Sequence, residues 1–250
     1  MITIKTLGTN GWFDTEFGRT MCTLIKTDDY SVVLDAGSGF PKIRHEVDFT
    51  KPVYLLLSHL HLDHISGLHT LEMMPFSVPL KIIVPAGQKD AFKAIGRPPY
   101  SANWLTGYAA GGELYDTDEI AAAGLPFKLT AAELCHPVPT CGYRMEIEGK
   151  TIAYLCDTGY CANAVSLAAN ADFVIAECGA LPGKAVEHGP HMDPAFCSRV
   201  ADESHCGKML LTHFSALLYP ALEDRFNAVE SIREGNARII AGVDNIEVRL

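Results

Sequence analysis

A cluster of metal-binding residue types lies in the first third of the chain. Four such residues lie within six consecutive positions just beyond the apolar run 53–57. They are His59, His61, Asp63 and His64. The run predicts a buried strand. Side chains two residues apart in an extended chain point the same way, so His59 and His61 can reach one ion. Asp63 and His64 lie where the chain turns into a predicted helix and face differently, so a second ion beside the first is geometrically natural.

The ligand types in this motif favour a borderline divalent metal. Neutral imidazole and carboxylate are ligands that Zn²⁺ prefers, and a catalytic zinc site keeps one position open for water. A single loop histidine is usually just solvated or hydrogen-bonded, but the whole His-x-His-x-Asp-His unit after an apolar strand is far more specific. By this unit the chain resembles the metallo-β-lactamase superfamily. The resemblance implies an α/β (α+β) fold, a four-layer αββα sandwich of two mixed sheets with outer helices.

Chain length and charge limit what the sequence can encode. The chain has 250 residues, 48% of them hydrophobic, and no linker rich in proline, serine or charge, so we predict a single domain over residues 1–250. Lysine and arginine number 20 against 30 acidic residues, which gives a formal charge of −10. A general phosphate-backbone binder carries a basic face. The charge therefore argues against a large nucleic-acid footprint and leaves only a local basic cleft open.

The sequence gives no sign of export or of a membrane span. Residues 1–5 begin at once with a strand-like alternation and lack the charged and then apolar pattern of a signal peptide. No segment approaches the ~20 consecutive apolar residues that cross a bilayer. We therefore predict a cytoplasmic protein with no membrane partner, whose eight cysteines are reduced thiols and not a disulfide framework.

Hydrophobic periodicity predicts the order of the elements. Strands are predicted at residues 2–7, 21–26, 31–34, 53–57, 81–84, 125–134, 143–147, 151–155, 173–176, 208–211, 238–241 and 246–248. Helices are predicted to begin near residue 40 and to span 67–74, 88–95, 162–169, 194–205 and 219–234. Residues 97–112 are predicted to form a long loop, either a lid beside the site or a packing insertion. In each half of the chain the predicted strands come first and the predicted helices follow. This order is typical of two packed sheets with helices on their outer sides.

Three further candidate ligands lie where later predicted strands end. A pair of metal ions bridged by a water molecule requires roughly seven protein ligands, and the motif at residues 59–64 supplies four. His136, Asp157 and His213 each follow one of the predicted strands. Taken alone, each has a simpler explanation, because Asp157 could form an Asx-turn and either histidine could bond to backbone.

The superfamily resemblance assigns all seven residues to a pair of ions. It implies His59, His61 and His136 on one ion, Asp63, His64 and His213 on the other, and Asp157 between them. The predicted cofactor is therefore two divalent metal ions, with Zn²⁺ favoured and Mn²⁺ or Fe²⁺ left open.

Motifs outside the ligands resemble the ribonuclease Z branch and its phosphodiesterase relatives. These motifs are Leu7-Gly8-Thr9, Asp35-Ala36-Gly37, residues 139–144, Ala176-Glu177, His191-Met192-Asp193 and Leu211-Thr212-His213-Phe214-Ser215. In that branch the histidine matching His191 is not a ligand and assists the leaving group, although His191 could instead cap the entry to a helix. Asp63 is predicted to orient the nucleophile or take its proton, and Glu177 to fix a ligand histidine or His191.

Two departures separate this chain from ribonuclease Z itself. That enzyme usually carries a long tRNA-gripping arm between the ligands corresponding to His136 and Asp157, which here are only 21 positions apart. It also tends to place an arginine and a tyrosine shortly after the last Phe-Ser, where this chain has Ala216-Leu217-Leu218-Tyr219. Both departures favour a small phosphodiester or cyclic phosphate over tRNA.

We therefore predict a binuclear metal-dependent hydrolase, a phosphodiesterase acting on a small phosphodiester through a metal-bridging hydroxide. Three alternatives stay open: tRNA 3′ processing as in ribonuclease Z, a thioesterase or lactonase of the same fold, and an iron-dependent redox member. RNA is a disfavoured partner, and the sequence does not decide between a monomer and a homodimer. Arg144 is either a phosphate ligand or a surface arginine on a strand.

Overall fold

The structure is a computed structural model that describes residues 1–232 and 238–250, and only the backbone of Arg238. The chain divides into two compact units. Unit 1 comprises Met1–Gly8, Arg19–Leu125 and Asn245–Leu250, and unit 2 comprises Thr9–Gly18 and Pro126–Asp244. Neither unit is one continuous segment. Residues 9–18 belong to unit 2 although they lie between two segments of unit 1, and the last six residues belong to unit 1.

The strands and helices follow the predicted order closely. The strands are β1 (Thr3–Gly8), β2 (Asn10–Gly11), β3 (Cys22–Lys26), β4 (Ser31–Leu34), β5 (Val53–Leu56), β6 (Leu80–Val84), β7 (Gly112–Asp116), β8 (Lys128–Glu133), β9 (Cys141–Ile147), β10 (Lys150–Leu155), β11 (Phe173–Glu177), β12 (Lys208–Thr212), β13 (Phe214–Ser215), β14 (Arg238–Ala241) and β15 (Glu247–Arg249). The α-helices are α1 (Leu62–Ile65), α2 (Lys89–Ile95), α3 (Ala162–Ala168), α4 (Pro194–Ser204) and α5 (Leu222–Glu230), and 3₁₀-helices span Phe40–His45, Ser66–Met73 and Thr117–Ala123.

Unit 1 is built on a mixed sheet with the strand order β15-β1-β3-β4-β5-β6-β7. Strands β4 to β7 run parallel to one another, while β1, β3 and β15 pair antiparallel. Every residue of β4 and β5 is buried, which agrees with the continuous apolar runs that predicted them. Val33, Leu55 and Ile82 join Phe92 in the hydrophobic core of this unit. Strand β5 lies inside this sheet, between β4 and β6, and leads directly to the motif at residues 58–64.

The loop between α2 and β7 is a packing segment of unit 1. Trp104 is only 5% exposed and its ring lies 5.2 Å from that of Phe92. Tyr108 is 7% exposed and its ring lies 5.4 Å from that of Phe76. Burial of two large aromatic rings in the core supports the packing insertion, one of the two alternatives for residues 97–112.

Unit 2 is built on a second mixed sheet with the strand order β14-β12-β11-β10-β9-β8. Strands β8, β9 and β10 are antiparallel, as the sequence predicts, and β10, β11, β12 and β14 run parallel. Helix α3 packs on β8, β9 and β10, and α4 packs on α3 and β12. A short parallel pair, β13 with β2, brings residues 10 and 11 beside residues 214 and 215.

Two predicted elements differ in the structure. Strand β7 was not predicted: Gly112 ends the predicted loop 97–112, and residues 113–116 were assigned to no element. The segment Gly112–Asp116 is half-buried throughout and lacks the alternation of buried and exposed positions by which a strand is recognised. Helix α5 spans Leu222–Glu230, shorter than the predicted 219–234, and positions 233 and 234 of that prediction lie outside the described residues.

Two expectations about composition can be compared with the fold. None of the helices within residues 1–232 and 238–250 is long and apolar enough to span a bilayer. All eight cysteines are free thiols in the structure, in agreement with the predicted absence of a disulfide framework.

Candidate metal centre

One cluster of candidate metal ligands lies in unit 1, where β5 ends. Leu57 extends the strand by one backbone hydrogen bond, from its N–H to the Ile83 carbonyl at 2.9 Å. The chain then turns at His61, the N-cap of α1, and Asp63 and His64 fall in that short helix. His59 and His64 are buried, Asp63 is half-buried and His61 is exposed. The motif therefore presents its side chains from a strand end and a helix start, as the sequence predicts.

The buried carboxylate of Asp35 contacts both Ser58 and His64 of this cluster. Its Oδ1 accepts a hydrogen bond from Ser58 N at 2.7 Å, and its Oδ2 accepts one from Ser58 Oγ at 2.7 Å. The same Oδ2 lies 2.8 Å from Nδ1 of His64. An ionised carboxylate only accepts, so Nδ1 of His64 carries the proton and Nε2 keeps its lone pair. Asp35 thus fixes both the tautomer and the ring orientation of His64.

The same argument applies to His59 through Ser58. Because Ser58 donates its hydroxyl proton to Asp35, its oxygen can accept from Nδ1 of His59, which lies 3.0 Å away. Nε2 of His59 then keeps its lone pair and lies 2.9 Å from Nδ1 of His61. Two nitrogens bound at about 2.0 Å to one tetrahedral ion lie roughly 3.3 Å apart. The His59 and His61 nitrogens therefore fit a shared metal ion.

Asp35 and Ser58 are the functional residues that sequence reasoning missed. In the sequence, Asp35-Ala36-Gly37 counts only as a motif of resemblance, and no pattern assigns a role to Ser58, the residue before the first histidine. One available signal was an aspartate directly after the buried strand β4, where a charge is costly unless it is paired. Asp35 is fully buried and adopts a left-handed backbone, with φ of 56°.

Another cluster of candidate metal ligands lies in unit 2, at the ends of two parallel strands. Asp157 follows β10 and His213 follows β12, and both adopt left-handed backbones, with φ of 50° and 52°. A left-handed residue ends the extended conformation, so its side chain leaves the alternation of the strand. Such strained residues concentrate at functional sites.

The unit 2 ligand candidates converge on the carboxylate of Asp157. Its Oδ1 lies 3.1 Å from Nε2 of His213, and its Oδ2 lies 3.8 Å from Nε2 of His136. Nδ1 of His136 lies 3.1 Å from the Pro190 carbonyl, which can only accept, so Nε2 is the nitrogen with the lone pair. Ligand atoms of Asp157, His191 and His213 all lie within 4.8 Å of one another. The donor set of two or three imidazoles and a carboxylate fits Zn²⁺.

His191 lies against this cluster and not at the entry of a helix. Its ring stacks on that of His213 at 5.4 Å and 20°, and lies 5.5 Å from that of His136. The capping alternative for His191 is wrong, because the N-cap of α4 is Asp193, whose side chain accepts from Phe196 N.

Glu177 holds the backbone around His191. It is fully buried, and its Oε1 accepts hydrogen bonds from Met192 N at 2.7 Å and Thr158 N at 3.2 Å. Its Oε2 accepts from Gly179 N at 2.7 Å, and its Oε1 lies 3.5 Å from Nδ1 of His191. The carboxylate therefore links three segments around the cluster and contacts His191 at the same time.

The guanidinium of Arg144 is bound to the end of a helix. Its Nη1 donates to the carbonyls of Leu167 at 2.8 Å and Ala169 at 2.7 Å. Those carbonyls belong to the C-terminal end of α3, where a cation satisfies open acceptors and opposes the helix dipole. The arginine is a helix-capping residue.

Comparison with known proteins extends these observations. The sequence pattern of the Beta-lactamase superfamily domain matches residues 30–214. The probable metallo-hydrolase YhfI of Bacillus subtilis is 27% identical over 216 residues, which cover 84% of this chain and 86% of that protein. Ribonuclease Z of Salinispora arenicola is 26% identical over 262 residues, which cover 82% of each protein.

Solved structures show the same fold. The crystal structure of YhfI from Bacillus subtilis has a TM-score of 0.79 and 22% identity, and covers 100% of both chains. A diphosphatase from the PhnP family has a TM-score of 0.73 and 16% identity, and covers 100% of this chain and 98% of that one. The predicted fold class, the metallo-β-lactamase fold with mixed sheets and helices, is confirmed.

The fold, the relatives and the histidine clusters define an enzyme, a metallo-hydrolase that uses divalent metal ions. The chain belongs to the β-lactamase superfamily, since the pattern of that family matches well over half of its length. The predicted resemblance to the superfamily and the predicted enzyme class are thereby confirmed.

Proposed function

We propose that this metallo-hydrolase is a binuclear zinc phosphodiesterase that cleaves a small phosphodiester or a cyclic phosphate. The observation that carries the proposal is His191, a histidine stacked on the cluster of Asp157 and His213 and braced by Glu177. Hydrolysis of a phosphodiester with an alkoxide leaving group needs a proton donor as well as a nucleophile. A thioester or an activated lactone makes a smaller demand of this kind.

The metal ligands of the proposal are the seven residues that the resemblance implies. They are His59, His61 and His136 for one ion, Asp63, His64 and His213 for the other, and Asp157 for both. Support comes from the fixed tautomers of His59, His64 and His136, each of which leaves Nε2 with its lone pair. Metal ligands are commonly oriented in this way by an acceptor on their other ring nitrogen.

Divalent ions in such a site lower the pKa of bound water and neutralise the charge of phosphoryl oxygens. The protein supplies the remaining steps. Asp63 orients the attacking water or accepts its proton, since its half-buried carboxylate lies 3.7 Å from Nε2 of His64. His191 donates a proton to the departing oxygen. Glu177 acts as a positioning residue, because its three backbone hydrogen bonds and its contact with Nδ1 hold His191 in place.

The connection between β9 and β10 supports a small substrate. These strands are joined by the two-residue turn Glu148-Gly149, with φ of 46° and 76°. Two residues with positive φ are typical of a tight hairpin. The hairpin fills the sequence between His136 and Asp157 in which ribonuclease Z usually carries its arm. The formal charge of −10 also disfavours a long RNA.

A substrate panel tests the proposal. The zinc-loaded protein should hydrolyse bis-4-nitrophenyl phosphate and a 2′,3′-cyclic nucleotide with higher kcat/KM than a thioester, a lactone or a tRNA precursor. Metal content of the same batch, measured by plasma mass spectrometry, should approach two zinc ions per chain. A preferred thioester or tRNA precursor, or iron with oxygen consumption, would identify one of the alternative functions instead.

Gly11→Ala should reduce metal binding through His213. A Cβ at position 11 would lie 2.6 Å from Cε1 and 2.8 Å from Nε2 of the His213 ring, so the ring must move. We expect less bound zinc and at least a tenfold lower activity, in line with the ~10–100-fold cost of disturbing the support of a ligand. Metal titration and kcat/KM measure both effects.

Gly142→Ala is the matched control for this substitution. Its Cβ would lie 2.6 Å from Cδ1 of Leu167, in the core of the same unit and away from the candidate ligands. This variant should lose stability in urea unfolding and keep its zinc. Equal zinc loss in both variants would mean that the Gly11 effect is general destabilisation.

A further inference from the structure

A cleft in unit 2 lies beside the candidate metal ligands. It has a volume of about 200 Å³, and its wall includes both His191 and His213. The same wall contains Trp12, Lys184 and Leu218. Trp12 is 69% exposed, a large aromatic surface to leave in water. It also lies outside residues 30–214, the part of the chain that matches the superfamily pattern.

The backbone of Trp12 is held in an uncommon conformation. Its φ is 74°, and Phe13 N donates to the Gly11 carbonyl at 3.0 Å across it. A hydrogen bond from residue i+2 to residue i with positive central φ forms a rare and strained γ-turn. For a bulky side chain such a φ is an outlier. Strain of this kind persists where the surroundings enforce it, and it concentrates at ligand-binding sites.

Asn10 enforces this conformation from inside the unit. Its Nδ2 donates to the Phe13 carbonyl, Thr15 Oγ1 and the Gly18 carbonyl, each at 3.1 Å. Its Oδ1 accepts from the buried guanidinium of Arg225. The buried side chain of Asn10 therefore fixes the backbone of the loop that carries Trp12.

Arg225 and the β2–β13 pair join this loop to His213. Nη1 of Arg225 donates to Thr9 Oγ1 at 3.0 Å and to the Gly242 carbonyl at 3.3 Å. Asn10 pairs with Phe214, the residue after His213. Trp12 is therefore fixed relative to His213 by a parallel backbone ladder and a buried polar network.

The chemistry of the cleft defines what it can bind. An exposed indole on a fixed backbone offers a flat face on which a nucleobase stacks, and this interaction tolerates any base because every base has a π-face. Lys184 adds an exposed cation in a chain of net charge −10, which selects for an anion. Both groups share the cleft with His191, the proposed proton donor.

We propose that this cleft binds the nucleoside part of a nucleotide substrate, with the base stacked on Trp12 and a phosphoryl oxygen against Lys184. The inference rests on the proposed phosphodiesterase function and names its substrate class. Trp12 and Lys184 are then specificity-determining residues, and Trp12 lies outside the part of the chain that matches the superfamily pattern.

Binding of two product-like probes tests the inference without turnover. AMP and ribose 5-phosphate share a phosphate and a ribose, and only AMP has a base. The zinc-loaded protein should bind AMP at least about tenfold more tightly than ribose 5-phosphate, and AMP alone should quench tryptophan emission. The other tryptophan, Trp104, is 5% exposed, so the quenching reports on Trp12. In Trp12→Ala the two probes should bind equally, with the ribose 5-phosphate affinity unchanged.

Matched variants separate stacking from general effects. Trp12→Phe should keep most of the preference for AMP, and Lys184→Ala should weaken both probes by the same factor. Phe13→Ala removes the neighbouring aromatic ring, which is 51% exposed and does not line the cleft, and should change nothing. An equal affinity for both probes in the unaltered protein, or a preference that survives Trp12→Ala, would overturn the inference. Failure of the phosphodiesterase proposal would appear separately, as absent turnover in the substrate panel.

Discussion

Asp157→Asn should give a folded protein that has lost bound metal and most of the proposed phosphodiesterase activity. Asp157 is 2% exposed, and its oxygens lie 3.1 Å from Nε2 of His213 and 3.8 Å from Nε2 of His136. Asparagine keeps the shape of the side chain and tolerates the φ of 50°, so the variant removes the charge without adding backbone strain. We expect the loss of at least one zinc ion per chain by plasma mass spectrometry. The fall in kcat/KM should exceed roughly 10–100-fold, the usual cost of removing a residue that hydrogen-bonds to a metal ligand, because Asp157 is itself a proposed ligand.

Asp172→Asn is the control for this result. Asp172 also lies in unit 2 and accepts hydrogen bonds from Lys150 Nζ and Thr151 N, each at 2.8 Å. The hydrogen bond from Lys150 holds the pKa of Asp172 below its usual value, so the control removes the charge of an aspartate that is already paired with a lysine. The control should keep full zinc content and full activity. Full zinc occupancy and unchanged turnover in Asp157→Asn would refute the proposed role of this carboxylate.

His191→Gln should leave the zinc content unchanged and slow hydrolysis in a manner that depends on the leaving group. For a 2′,3′-cyclic phosphate, whose leaving group is an alkoxide, we expect kcat to fall by about 10²–10⁴-fold, the usual contribution of a general acid. For bis-4-nitrophenyl phosphate, whose leaving group departs without a proton, the fall should be much smaller. Steady-state kinetics with both substrates on one preparation give the ratio directly.

The zinc content of this variant distinguishes two roles for His191. A ligand atom of His191 lies within 4.8 Å of ligand atoms of both Asp157 and His213, so it is close enough to bind metal itself. Loss of zinc together with an equal loss for both substrates would show a ligand and not a proton donor. His188→Asn is the control, because His188 is an exposed histidine of the same loop with φ of 58°, which asparagine tolerates. It should behave like the unaltered protein.

The elements that the sequence predicts well are those whose apolar pattern is strong. Strand β4 has the predicted bounds because all four residues are buried and the last three, Val32, Val33 and Leu34, are aliphatic. Strand β7 was missed because Gly112–Asp116 carries one glycine and two acidic residues and is never fully buried. It forms a strand because it pairs with β6. This pairing depends on the neighbouring strand, and the sequence of the segment itself does not show it.

The assignment of strands to sheets also depended on tertiary structure. Residues 238–241 and 246–248 were predicted as two closing strands, close together in sequence. In the structure β14 pairs with β12 in unit 2, and β15 pairs with β1 in unit 1. The sequence holds no local signal for this separation, because partner choice depends on which sheet edge is open.

The sequence by itself determined the types of the candidate ligands, their spacing and their position at strand ends. Metal coordination demands particular donor atoms, and a strand end is marked by local hydrophobicity. Tertiary structure alone decided which acceptors face those donors. Asp35 sets the tautomer of His64 from 29 positions away, and Asn10 reaches Arg225 across 215 positions to fix the loop of Trp12. Hydrogen bonds of this kind depend on distances of about 3 Å in space, and separation along the chain carries no information about them.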